Sequence, residues 1–199
     1  MNRGKIIQDG PPVSVYSRPR NTFVARFLGF NNLVPAHVPA NAPDTIQTPI
    51  GHFAGFPENQ SLAPGRHILL LRPDGAHLIA MPDTTVTPGI HLGTNGDIPE
   101  RTKIVLVGQL IKKWYHGDRY RVEVAVPVTD YQFESLGQSD GERGTAGTNR
   151  PGFLHLQFEL MVLHAAAEHG YRSPTSLPEM GSDICLRLHP AQLVLLPPT

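Results

Sequence analysis

Apolar residues in this chain come in short runs and alternations broken by glycine and proline, which is the spacing of strands rather than of long helices. The tightest run is Ile68-Leu69-Leu70-Leu71, bounded by Gly65 on one side and by Arg72-Pro73-Asp74-Gly75 on the other. It predicts a buried strand. Pro73 holds Arg72 extended and has no N–H to give to a ladder, so the strand stops there. Asp74-Gly75 suits a tight turn, and Ala76 to Met81 a returning strand. Lys103 to Tyr115 predicts one long strand, with Gly108 marking a bulge or sharp bend. His116-Gly117-Asp118 turns it back into Arg119 to Val126, where polar and apolar residues alternate as in a strand with one wet face. Further strands are predicted at Thr45 to Thr48, Gly51 to Ala54, Leu154 to Leu160, Asp183 to Leu188 and Gln192 to Leu196, the last two joined through His189-Pro190-Ala191. A long strand bent at a glycine and paired through a tight turn predicts a small, strongly curved barrel.

The N-terminal segment reads differently. Asn2-Arg3-Gly4 is turn chemistry, Lys5 to Gln8 a short strand, and Asp9-Gly10 its end; the partner strand of such a hairpin would precede Met1. Pro11-Pro12 then opens a helix of one to two turns through Ser17, closed by Arg18-Pro19. Asn21 to Gly29 predicts a second helix, capped by Asn21 or Thr22 and stopped by Gly29, with Phe23, Phe27 and Leu28 sharing a face. Helices this short need a body to pack on. Pro82 to Pro99 is polar and rich in glycine and proline, a long loop suited to contacts. Gly137 to Gly152 predicts a flexible insertion; it lacks the Lys-Ser/Thr pair and the preceding strand of a phosphate loop. Met161 to His169, richer in alanine, predicts a helix stopped at Gly170. The fold class is mainly β with two short N-terminal helices.

Composition narrows the function classes. A chain of 199 residues can bury one sizeable core or two small ones. Seventeen basic against 17 acidic side chains leave a net charge of zero, with no basic surplus to hold nucleic acid. Cys185 is the one cysteine, so neither an internal disulfide nor a cysteine-cluster zinc site is available; its place in Asp183-Ile184-Cys185-Leu186 makes it a core residue. No run approaches the ~18 apolar residues of a membrane span, and Met1 to Lys5 leads into only Ile6-Ile7, too little for a signal peptide. Ten histidines invite a metal, yet His164 and His169 miss the three- or four-residue spacing of one helix face and the rest are scattered. Ser135-Leu136-Gly137 is no nucleophile elbow, and the close carboxylates Asp140 and Glu142 fall in the flexible segment. Trp114-Tyr115 beside Lys112-Lys113 reads as a strand end with an aromatic pair rather than a stacking platform for single strands. No catalytic, cofactor-binding or metal residue is assigned.

A resemblance joins these pieces. Met1 to Pro12, Val15-Tyr16, Arg18-Pro19, Asn21 to Gly29 and Asn32 to Ala36 resemble a junction in the ATP-binding subunits of ABC importers with a C-terminal regulatory domain, as in maltose, polyamine, iron(III) and sulfate systems. There the pattern is a hairpin, a proline-led helix with a tyrosine, a proline, and a Phe-Val-Ala-x-Phe-hydrophobic-Gly helix. Arg72-Pro73-Asp74 is similar to the Arg-Pro-Glu/Asp signature of the oligonucleotide-binding-like TOBE domain that follows. Gly108 with the hairpin about His116-Gly117 resembles that domain's next hairpin, and Gly181 to Pro190 its closing strand.

The resemblance implies residues 1–30 as a remnant of the ATP-binding domain with linker helices, and 31–199 as one or more small OB-like TOBE barrels with an insertion at about 131–180. Arg72, Pro73, Asp74, Gly29, Gly108 and Gly117 are then structural motif residues. The nucleotide loop, the Ser-Gly-Gly signature, the acidic strand and the switch histidine of the ATPase are not in this sequence. The resemblance therefore implies a chain with no ATP hydrolysis of its own, ATP and magnesium belonging to the missing domain. Its implied partners are a second copy, the ATPase domain and permease subunits, at the cytoplasmic face of the membrane. Regulation would act by population shift between dimer arrangements. The rival expectations are a stand-alone barrel binding an oxyanion or other small ligand, and an OB-type nucleic-acid-binding domain.

Overall fold

The apolar run that ends at Pro73 is the inner half of a strand, and the computed structural model shows what it pairs with. Residues 4–54, 63–81, 87–92, 104–128, 152–161 and 176–197 are described. Among them the chain order is α1 (Pro12–Ser17), α2 (Thr22–Phe27), β1 (Leu33–Val38), β2 (Thr45–Thr48), β3 (Gly51–Ala54), β4 (Gly65–Leu71), β5 (Ala76–Ile79) and β6 (Gly89–Leu92). It continues with β7 (Ile104–Tyr115), β8 (Arg119–Pro127), β9 (Phe153–Met161), β10 (Asp183–Leu188) and β11 (Leu193–Leu196). Mainly β with two short helices is therefore the observed class.

The strands form two sheets, ordered β11-β4-β1-β2-β3 and β5-β10-β7-β8-β9, with β6 added to β7. β4 is an interior strand of the first: Leu69 faces Val34 of β1 and Leu195 of β11. A strand walled on both edges and both faces must be apolar along its length, which is why Ile68 to Leu71 reads as an unbroken run. β7 organises the second sheet. Its first half lies between β6 and β10, and its second half pairs with β8. One core fills the space between the sheets, with Val34, Ile46, Leu69 and Leu71 meeting Leu106, Val124, Leu156, Phe158 and Leu186. β5 and β9, the ends of the second sheet's main path, come side by side, so the sheet curls into a half-barrel.

α2 and the residues that follow it cover the other face of the first sheet. Asn21 caps α2 by accepting from the Val24 N–H at 3.0 Å, a contribution of about 1 kcal/mol. Gly29 follows at φ 87°, where a side chain would be strained. Ala25 and Phe30 pack on Leu70 and Leu196. No helix among the described residues is long and apolar enough to cross a membrane.

Several expectations need correction. The strand Lys5 to Gln8 is reduced to a bridge at Lys5; the Gln8 side chain instead donates to the Arg18 carbonyl and accepts from the Arg20 N–H, tying down the turn between the helices. Of the expected face only Leu28 packs, against the cluster of Ala25 and Phe30; Thr22, Val24 and Ala25 are the buried residues of α2, while Phe27 is 81% exposed and Phe23 also lies open. Six residues make too little helix for a three- to four-residue stripe to choose its side, and the sheet takes the smaller residues. The strand after Asp74-Gly75 exists but does not return onto β4. β5 pairs with β10, so the turn carries the chain from one sheet to the other. The Pro82 to Pro99 loop holds a strand, β6, whose Ile90 is buried against β7.

Gly108 is not the bulge. The register shift in β7 lies between Leu110 and Lys112. Gly108 serves close approach: a Cβ there would come within 2.6 Å of a Val124 methyl and 2.7 Å of the Ala125 carbonyl oxygen. Met161 ends β9 rather than starting a helix. The rest of that predicted helix, Gly137 to Pro151, and most of the 131–180 insertion lie outside the described residues, as do Met1 to Arg3 and Lys103.

Candidate functional site

A cluster of polar side chains lies where the Arg-Pro-Asp turn leaves the first sheet and meets the edge of the second. Arg72 N–H donates to the Gln192 carbonyl at 2.9 Å, which fixes the end of β4 against the segment before β11. The Arg72 guanidinium then reaches over Pro73 and forks onto Asp74, with Nε donating to Oδ1 at 3.1 Å and Nη2 to Oδ2. Its flat face lies over the Tyr16 ring of α1, 4.9 Å from the centroid. Tyr16 packs in turn against Phe30, centroids 5.0 Å apart. A planar, bidentate cation on an aromatic ring is geometry that arginine provides and lysine does not. Burial, and then the Asp74 carboxylate, push the Tyr16 hydroxyl above its ordinary pKa of 10.0.

Pro73 contributes its carbonyl oxygen, which accepts from the Glu159 N–H on the outer edge of β9 at 2.9 Å. Two residues back along the same edge, Asn32 meets Gln157. Asn32 is 2% exposed, and its side-chain amide copies a strand: Oδ1 accepts from the Gln157 N–H at 2.8 Å and Nδ2 donates to the Gln157 carbonyl at 2.6 Å. Among the described residues, the open edge of β9 is thus closed by one side chain and one proline carbonyl.

Outside this seam lies an ion network. Glu159 accepts from Arg121 at 3.1 Å and from Arg119 at 3.2 Å, and Arg119 also forks onto Asp118. The Arg119 guanidinium holds the Asp118 carboxyl below its usual range, and the two carboxylates raise the pKa of Arg119 in return. A small open pocket of about 120 Å³ sits among these groups, lined by Asn31, Asn32, Pro73, Arg121 and Gln157 and reaching Gly29. Further along the sheet, His155 Nδ1 and Glu123 Oε1 are 2.7 Å apart, with Lys112 at 3.6 Å from the same carboxylate.

The chemistry of the cluster is that of a joint. Arg72, Arg119 and Arg121 each have a carboxylate partner, and no group of three or more His, Cys, Asp or Glu side chains among the described residues could hold a metal ion. Of the residues singled out from sequence, Arg72, Pro73 and Asp74 meet at this seam and Gly29 borders its pocket. Gly108 lies in mid-β7, and Gly117, at φ 76°, forms the β7–β8 hairpin tip. Tyr16 and Asn32 stood in the junction motif without a role. Gln157, Glu159 and Arg121 were simply the wet positions of their strands. The available signal was Asn32 itself, a polar residue directly before an apolar strand.

No protein-family model matches the chain. Among curated proteins, an Fe(3+) ions import ATP-binding protein of Streptomyces avermitilis is 45% identical over 78 residues, 39% of this chain and 21% of the relative. A spermidine/putrescine import ATP-binding protein of Methylococcus capsulatus is 37% identical over 108 residues, covering 51% of this chain and 26% of the relative. An Fe(3+) ions import ATP-binding protein of Photorhabdus laumondii is 31% identical over 137 residues, covering 68% and 30%. The chain thus spans between 21% and 30% of the length of these relatives. Its homologues are ATP-binding subunits of ABC importers, consistent with a C-terminal portion of such a subunit.

Proposed function

We propose that this chain is the regulatory and dimerisation portion of an ABC importer's ATP-binding subunit, folded as a TOBE-type, OB-like barrel. The observation that carries the reading is the homology to import ATP-binding proteins, shared by iron(III) and polyamine systems alike. The geometry agrees in kind. A curled sheet closed at a seam, with charged groups neutralised in pairs, suits a body that positions other parts rather than one that performs chemistry. The ATPase activity, magnesium and nucleotide belong to the ATP-binding domain of the whole subunit, and this chain alone hydrolyses no ATP. The exposed apolar side chains of the N-terminal segment, Ile6, Val13 and Phe27, fit a further protein surface such as that domain. Transport partners are the permease subunits, and the assembled subunit lies at the inner face of the membrane.

Sedimentation velocity tests the dimerisation role. Concentration-dependent self-association at micromolar chain is expected. A single monomeric boundary across that range counts against it, and turnover of Mg-ATP by the chain alone would refute the assignment of hydrolysis to another domain.

A further inference from the structure

A strand edge is ordinarily closed by another strand, whose ladder spreads the load over many bonds. Among the described residues, the edge of β9 is closed by three hydrogen bonds, two between Asn32 and Gln157 and one from Glu159 N–H to the Pro73 carbonyl. β5 lies beside β9 but shares no ladder with it. The two closing residues come from different segments, before β1 and after β4, and the same aromatic ring steadies both. Tyr16 packs on Phe30, two residues before Asn32, and beneath Arg72, which directly precedes Pro73. Asn32 and Leu71 are themselves joined, the Leu71 N–H donating to the Asn32 carbonyl at 3.0 Å. Moving α1 away removes the ring from both sides of the closure at once.

We propose that this closure is a latch worked by α1. When Tyr16 leaves Phe30 and Arg72, Asn32 and Pro73 release β9, and its edge opens as a unit while the two ladders and the core stay intact. Coupling of this kind is reciprocal, so a partner that holds the β9 edge shut also holds α1 down. The latch is a property of the chain and stands apart from the transporter reading.

Native-state hydrogen exchange followed residue by residue tests it. In the parent protein the Gln157 and Glu159 amides exchange through an opening less dependent on denaturant than that of Val124 in β8; equal dependence overturns the latch and needs no variant. In Tyr16→Leu those two amides exchange on the order of tenfold faster, the loss of one ring pair and one cation–ring contact, while Val124 keeps its parent rate. Tyr16→Phe keeps both ring contacts and loses only the hydroxyl's hydrogen bond with Arg72, so its Gln157 and Glu159 amides exchange more slowly than those of Tyr16→Leu. Unchanged Gln157 and Glu159 rates in Tyr16→Leu, or an equal rise at Val124, contradict the proposal.

Discussion

Asn32 and Gln157 stand 125 residues apart in sequence, yet the side chain of one completes the backbone of the other through two hydrogen bonds. A buried amide that satisfies both groups of a strand residue leaves two orphans when it is removed. Asn32→Ala is expected to cost about 2 kcal/mol, in the range of buried polar groups left unpaired. Asn32→Asp keeps the acceptor but sets an oxygen against the Gln157 carbonyl, so it is expected to be no better than Ala. Denaturant unfolding of the two variants checks this; a loss under about 0.5 kcal/mol for both would mean water replaces the amide without cost.

Arg72 is a structural residue on this account. Its fork to Asp74 and its contact with Tyr16 both vanish in Arg72→Ala, and a destabilisation of about 1–3 kcal/mol is expected, since the guanidinium is largely buried. Arg72→Lys retains the charge but neither the fork nor the flat stacking face, and falls between Ala and parent. Calorimetric melting temperatures in that order support the role. A lysine variant as stable as the parent would show that charge alone matters.

Gly108 and Gly117 resist substitution for different reasons, and their opposite responses to asparagine separate them. At Gly108 a methyl group meets Val124 and the Ala125 backbone below 3.0 Å, so Gly108→Ala forces the β7–β8 pair apart and costs about 1–3 kcal/mol. At Gly117 nothing lies within 4 Å, and Gly117→Ala costs only the left-handed backbone penalty of about 1–2 kcal/mol. Gly117→Asn, which tolerates that backbone, recovers most of it, whereas Gly108→Asn is worse than Ala. Unfolding midpoints of the four variants decide.

Cys185 gives a probe of the second sheet. It is buried with Ile79 and Val107, and burial pushes its thiol from 9.0 to about 11. The thiolate is therefore about 100-fold scarcer than in the unfolded chain near neutral pH, and alkylation by iodoacetamide should be slower by at least that factor in the folded protein. Because the folded value lies above the unfolded one, the thiol's contribution to stability is whole below about pH 9 and is lost as pH rises through about 11. Mass spectrometry of pulse-labelled protein with and without denaturant reads the rate; equal labelling would place Cys185 outside the core.

Elements were legible in the sequence where the causes are local. Pro73 ends β4, Asn21 and Gly29 bracket α2, and the alternation of β8 follows its one wet face. Partnership was legible across the tight turn at His116-Gly117-Asp118, which pairs β7 with β8, but not beyond such turns, because no local rule says that the residue after a turn joins another sheet. β5 could be read as a strand from Ala76 onward, but its pairing with β10 depends on contacts made more than a hundred positions later. The seam shows the same limit. Arg72-Pro73-Asp74 stands out in sequence, while Gln157 and Glu159 look like any exposed residues of an alternating strand until Asn32 and Pro73 are brought to them.

The most direct test of the regulatory-portion assignment is an exchange of parts. Residues 31–197 replace the matching segment of the Fe(3+) ions import ATP-binding protein of Streptomyces avermitilis, and iron(III) uptake is measured in cells lacking the native subunit. The assignment predicts that the chimera melts cooperatively, hydrolyses Mg-ATP and restores uptake with the relative's own permease. A folded, ATP-hydrolysing chimera that restores no uptake would contradict it.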